Sequence, residues 1–220
     1  MSRKLGPPLY AEFSVLFALM IALSRPINIL SSAVTRVAVT GRTEGTSFEE
    51  IEKFSIKLGL AIALILGLGP ILLSPLISDF LKTGSLLLFM PLGLTLFIWS
   101  LTGVLRGLFA SLEKFGILSY TSAAELFVRA VFGIAFVLLG FKVLGAIASS
   151  AIGALFVFIL LSDRKRHIVT AYNERKQHDI LERGFGSITS KVFFIALPIG
   201  FFLELDVLLA KRFFAPEEAG

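Results

Sequence analysis

Six apolar runs, each long enough to cross a lipid bilayer, occupy most of this chain: Phe13–Val39, Leu58–Ile77, Leu86–Leu105, Gly116–Leu139, Val143–Leu161 and Val192–Phe214. A helix rises about 1.5 Å per residue and the hydrocarbon core is about 30 Å thick, so roughly 20 residues suffice for a span. The runs lack the apolar/polar alternation that a membrane barrel needs, which leaves helices. The expected fold class is an all-α polytopic membrane protein with six transmembrane helices.

Composition agrees with that solvent. Apolar residues make up 55% of the chain and charged residues 17%, against about 45–50% and about 25% in soluble domains. The net charge of +5 does not indicate a nucleic-acid partner, because the basic residues sit in loops and form no single surface. Cysteine is absent, which excludes disulfides, thiolate metal sites and cysteine nucleophiles. His167 and His178 share one basic loop, far from any carboxylate pair at metal-ligand spacing, so neither a metal nor another cofactor is expected. An integral membrane enzyme would need clustered Asp, Glu or His near a membrane face. No such cluster occurs, and the chain does not read as an enzyme.

Lysine and arginine between the runs fall into two alternating groups. One holds thirteen residues: Arg36, Arg42, Lys53, Lys57, Arg106, Lys114, Arg164, Lys165, Arg166, Arg175, Lys176, Arg183 and Lys191. The other holds six: Arg3, Lys4, Lys82, Lys142, Lys211 and Arg212. The positive-inside rule places the first group in the cytoplasm and the N-terminal tail outside. Ser47 with Glu50 reads as a capping box, with Phe48, Ile51 and Phe54 following at helical spacing. The basic stretch Ser162–Lys191 reads either as a surface helix at anionic headgroups or as a solvated linker.

Charged residues within the runs are the candidate site. A charge at mid-bilayer costs about 2.5–3.5 kcal/mol on insertion scales, so it must face a partner or a wet cavity. Arg25, Asn28, Ser32 and Arg36 are three, four and four residues apart, which puts them on one helix face. Pro26 frees the carbonyl of Ala22 and predicts a kink beside that polar stripe. Glu125 and Arg129 form an i,i+4 pair of favourable orientation; the alternative to a cavity role is an ion pair that braces the bundle. Glu204 and Asp206, two residues apart, point to different faces; one of them could couple transport to protons. Gly145, Ser149 and Gly153 read as a close-packing face, and Gly67, Gly69, Pro70 and Pro75 as a bend.

Two further patterns concern organisation. Gly6-Pro7-Pro8-Leu9-Tyr10-Ala11 before the first run is echoed by Ala215-Pro216-Glu217-Glu218-Ala219-Gly220 after the sixth, about 209 residues on, which suggests repeated six-helix bundles. The blocks Leu105-Arg106-Gly107, Glu125 with Val128-Arg129, Thr35-Arg36-Val37-Ala38, and Asp206-Val207-Leu208-Leu209-Ala210-Lys211 through Pro216-Glu217-Glu218 resemble the Wzx-type polysaccharide-biosynthesis flippases. These exporters of lipid-linked oligosaccharides share a superfamily with the MATE multidrug exporters. The resemblance implies two bundles around a central cavity, alternating access, and a match of the present spans to helices two to seven. It thus implies residues 1–161 as an N-terminal bundle lacking its first helix, 162–191 as a cytoplasmic linker, and 192–220 as the first helix of a second bundle. The implied function is flipping of a lipid-linked anionic glycan across the plasma membrane, with Arg25, Asn28, Arg36, Glu125 and Arg129 as substrate-binding candidates and Arg25 and Arg129 first among them for the diphosphate. A cation-coupled multidrug exporter of the same fold is the alternative, and a fragment without activity a further one.

Overall fold

The computed structural model describes residues 6–43, 45–83, 85–164 and Leu209. Its helices are α1 (Pro7–Thr43), α2 (Phe48–Leu72), α3 (Ser74–Leu81), α4 (Phe89–Ser111), α5 (Phe115–Leu138) and α6 (Lys142–Asp163), with a 3-10 turn at Leu86–Leu88. Five stretches are long and apolar enough to cross a membrane: Pro8–Arg42, Phe48–Leu72, Leu86–Ser111, Phe115–Leu138 and Lys142–Asp163. They overlap the first five predicted runs, although the second lies at Phe48–Leu72 where Leu58–Ile77 was predicted, and the chain is an all-α, multi-pass membrane protein. Apart from Leu209, the sixth run Val192–Phe214 lies outside the described residues, as do residues 165–191 with both histidines, and Glu204 and Asp206.

Short connections make the long helices run up and down. One end of the bundle carries Arg42, Ser47, Lys114 and Arg164; the other carries Lys82, Gly140 and Lys142. At the Arg42 end the predicted cap forms: the Ser47 side chain accepts from the Glu50 amide at 3.4 Å, with Glu49 and Glu50 in the first turn. This satisfies one orphan donor and sets negative charge against the positive end of the helix dipole. Phe48 and Ile51 enter the core as expected, whereas Phe54 faces outward, 54% exposed.

Helix α4 is the centre of the bundle. Of its apolar window 61% is buried, against 28% in α2 and 17% in α5. It packs on α1, α2 and α6, while α5 packs chiefly on α6. Within lipid no hydrophobic force drives helices together, so contact depends on close van der Waals fit between small residues. The buried face of α2 is built that way, from Ser55, Gly59, Ala63 and Gly67 at four-residue spacing. A Cβ on Gly67 would stand 2.9 Å from Phe97 Cβ and 3.2 Å from the Gly93 carbonyl oxygen. Where α4 meets α1, a Cβ on Gly107 would stand 2.5 Å from the Ser31 carbonyl oxygen. There the Thr35 hydroxyl donates to the Gly107 carbonyl at 3.0 Å, tying α1 to α4.

Gly67 is thus a packing residue, and the break falls between Pro70 and Pro75, at the far end of the stretch predicted to bend. The second run breaks at Leu73, between α2 and α3, with Pro75 in the first turn of α3. Pro75 has no amide hydrogen to offer Ile71 and its ring crowds that carbonyl, which favours a break there. By contrast α1 stays helical through Pro26. On α6, Gly145, Ser149 and Gly153 are all buried, with Gly145 against Phe136 and Gly153 against the Glu125 carbonyl and Arg129 Cβ.

Two apolar clusters fill the interior, one towards each end. Leu30, Val34, Ala38, Phe48, Ile51, Val104, Leu108, Phe109 and Leu161 belong to the first. Val15, Leu16, Met20, Leu88, Phe89, Leu92, Leu96, Val143 and Ile147 belong to the second. The residues between them along α1, α4, α5 and α6 include Asn28, Trp99, Ser100, Glu125, Ser149 and Ser150. A polar layer therefore crosses the bundle about halfway along its helices.

Candidate functional site

The polar layer opens into a cleft of about 180 Å³ lined by Ser24, Ile27, Asn28, Ser31, Trp99, Gly103, Arg106 and Glu125. Helical spacing assembles it. Ser24, Ile27, Asn28 and Ser31 share one face of α1, and Trp99, Gly103 and Arg106 recur at i, i+4 and i+7 on α4. Glu125 reaches in from α5. Gly103 lacks a side chain where α4 meets Ile27 of α1, which brings the two polar walls close.

Glu125 holds the cleft together. It is 8% exposed and lies about ten residues into α5, so roughly 15 Å along it. Arg106 donates from Nη2 to Glu125 Oε2 at 2.7 Å, and the Trp99 indole donates from Nε1 to Glu125 Oε1. Both carboxylate oxygens are thus engaged by α4. Such charge-assisted bonds are short and about twice as strong as neutral ones, and mutual neutralisation makes two charges tolerable at this depth.

The predicted pairing is corrected here. Arg129 does not pair with Glu125; its guanidinium stands over the Phe17 ring on α1, 5.0 Å from the centroid. Side-chain direction explains the difference. Glu125 turns across to α4, where two donors meet it, and Arg129 finds an aromatic face that is worth up to about 2 kcal/mol when desolvated. Phe13 stacks on Phe17 with centroids 5.7 Å apart and extends that platform.

Of the predicted site residues, Asn28 and Glu125 line the cleft, and Arg25, Arg36 and Arg129 do not. Arg25 and Arg36 are half-buried on α1, on either side of Asn28 along the helix. The Ser32 hydroxyl donates to the Asn28 backbone carbonyl at 3.0 Å, and of the predicted polar stripe on α1 only Asn28 lines the cleft. Glu204 and Asp206 fall outside the described residues.

Six cleft residues were not expected there: Ser24, Ile27, Ser31, Trp99, Gly103 and Arg106. Arg106 counted as a loop charge because the third apolar run stops at Leu105, yet α4 continues to Ser111 and folds Arg106 inward. Trp99, the one tryptophan in the chain, and Ser31 had no assigned role. The spacing Trp99–Gly103–Arg106 was the available signal: a polar stripe at i, i+4 and i+7 on an otherwise apolar helix. Among the described residues no group of three His, Cys, Asp or Glu could hold a metal ion. No protein-family model, no curated protein and no solved structure matches the chain.

Proposed function

We propose that the protein is a transporter that moves a lipid-linked anionic glycan across the plasma membrane by alternating access, with its Arg42 end in the cytoplasm. The observation that carries this reading is the polar cleft between α1, α4 and α5, halfway along helices that are otherwise apolar. Stability does not call for such a cleft, because a buried ion pair is often no better than well-packed apolar residues. Ionisable groups kept inside a membrane mark a substrate or ion path by default. Arginine suits a diphosphate because its planar fork binds two oxygens at once. Arg42, Lys53, Lys57, Lys114 and Arg164 at one end, against Lys82 and Lys142 at the other, support the orientation.

A second reading rests on a specific contact. Trp99 beside Glu125 is an aromatic–carboxylate pair that would also suit an organic cation, as in a cation-coupled multidrug exporter. One experiment separates the two. The protein is reconstituted in liposomes with a fluorescent polyprenyl-diphosphate-linked sugar or, separately, with a cationic dye. Protein-dependent movement of the labelled glycolipid to the opposite leaflet is the expected result. Dye transport without glycolipid movement would replace this reading with the exporter.

A further inference from the structure

The Arg106–Glu125 pair uses only part of what the arginine offers. A guanidinium carries five N–H donors in a rigid fork. Nη2 donates to Glu125, while Nε is buried and has no hydrogen-bond partner among the described residues. Nε and Nη2 point the same way along one edge of the group, so the edge that could grip two oxygens grips one. A phosphate or diphosphate presents two oxygens at the spacing that edge accepts.

The rest of the cleft suits an anion of that kind. Its volume of about 180 Å³ is more than ten times the roughly 10–15 Å³ that a single water requires. Across from Arg106, the Asn28 amide and the Ser31 hydroxyl line the α1 wall. Neither side chain has a hydrogen bond among the described residues, so both can donate to an incoming oxygen. Glu125 also has somewhere to go. Arg129 lies one turn along α5, at the spacing for an i,i+4 ion pair, and stands over Phe17 with no ion pair among the described residues.

We propose that Arg106 is the anion-binding group of the cleft, and that the Glu125 carboxylate occupies its place until a phosphate or diphosphate displaces it. The exchange is balanced in charge: Arg106 trades a carboxylate for a phosphate group, and Glu125 trades Arg106 for Arg129. No carboxylate or guanidinium is left alone in the membrane. The exchange also unties α5 from α4. This inference rests on the transport reading above and assigns its anion site to Arg106 rather than to Arg25 or Arg129.

Trp99 makes the test direct, since its emission reports on the cleft without a label and no other tryptophan interferes. The full chain in lipid–detergent mixed micelles is titrated with farnesyl diphosphate and, in a parallel arm, with inorganic pyrophosphate. Binding of both probes identifies the phosphate groups as sufficient; binding of farnesyl diphosphate alone identifies a lipid headgroup as the source. Glu125→Gln removes the competing charge and keeps an acceptor for Trp99, so it should bind about tenfold more tightly, the value of one charge-assisted hydrogen bond. Arg106→Lys keeps the charge but loses the fork, and should bind at least about tenfold more weakly. Helix content and monodisperse elution are measured for each variant; if Glu125→Gln fails to fold, Arg106→Lys decides alone. Wild-type affinity in Arg106→Lys, or no gain in folded Glu125→Gln, overturns the inference. If glycolipid movement persists alongside either result, the transport reading survives without it. If the probes bind as expected and no glycolipid moves, the anion site stands and the transport reading falls.

Discussion

Replacing Glu125 with Gln should destabilise the bundle, and restoring neutrality by replacing Arg106 with Gln as well should recover part of the loss. The Glu125 side chain is 10% exposed and the Arg106 side chain 30%. Breaking a fully buried pair by removing one partner costs about 3–5 kcal/mol, chiefly because the other charge is stranded. Arg106 is nearly a third exposed, so water relieves part of that penalty and a loss of about 2–3 kcal/mol is expected. In the double variant two amides face each other across the same gap, with the Trp99 indole still able to donate to residue 125. The coupling energy between positions 106 and 125 should therefore be about 1–2 kcal/mol, at the upper end of what polar contacts reach in membrane helices. The same cycle run on positions 125 and 129 should give no more than about 0.5 kcal/mol, the value of an i,i+4 pair on an isolated helix, because the two side chains form no ion pair. Reversible unfolding in mixed micelles, followed by helical circular dichroism, measures both cycles. A larger coupling for 125 with 129 than for 125 with 106 would refute the assignment and restore the pairing read from the sequence.

Three further outcomes follow from packing and from the proposed orientation. Gly67→Val should cost about 1–3 kcal/mol by overpacking, because its side chain would meet Phe97 and the Gly93 carbonyl; Gly69→Ala, with open space around it, should be neutral or stabilise by up to about 1 kcal/mol in the same unfolding assay. Phe17→Leu should weaken the α1–α5 contact by about 1–2 kcal/mol while Phe17→Tyr keeps it, since only an aromatic face receives the Arg129 guanidinium. The chain has no native cysteine, so single cysteines at Asp79 and Glu113 can be labelled cleanly in intact cells; an impermeant maleimide should reach position 79 and spare position 113, and the reverse result would invert the proposed topology.

Apolar run length carried most of the fold, because a segment in lipid must satisfy its own backbone hydrogen bonds and helix is the local solution. Five of the six runs accordingly correspond to spanning helices, and the local signals at Ser47 and Pro75 mark a helix start and a helix stop. Those are properties of neighbours in sequence, legible without a fold. The helix end at Ser111 was harder to read, because Arg106 looks like the end of a hydrophobic run until its partner is known. Glu125 was legible as an unusual charge and Asn28 as part of a polar face. Which arginine Glu125 meets was not, because Arg129 is near in sequence but Arg106 is near in space, and the choice depends on how α5 is rotated against α4. That rotation is set by contacts between helices: Gly153 against the Glu125 backbone, Gly103 against Ile27, and Trp99 within reach of the carboxylate. Sequence spacing determines which residues share a face of one helix; only the packing of three helices decides which faces meet.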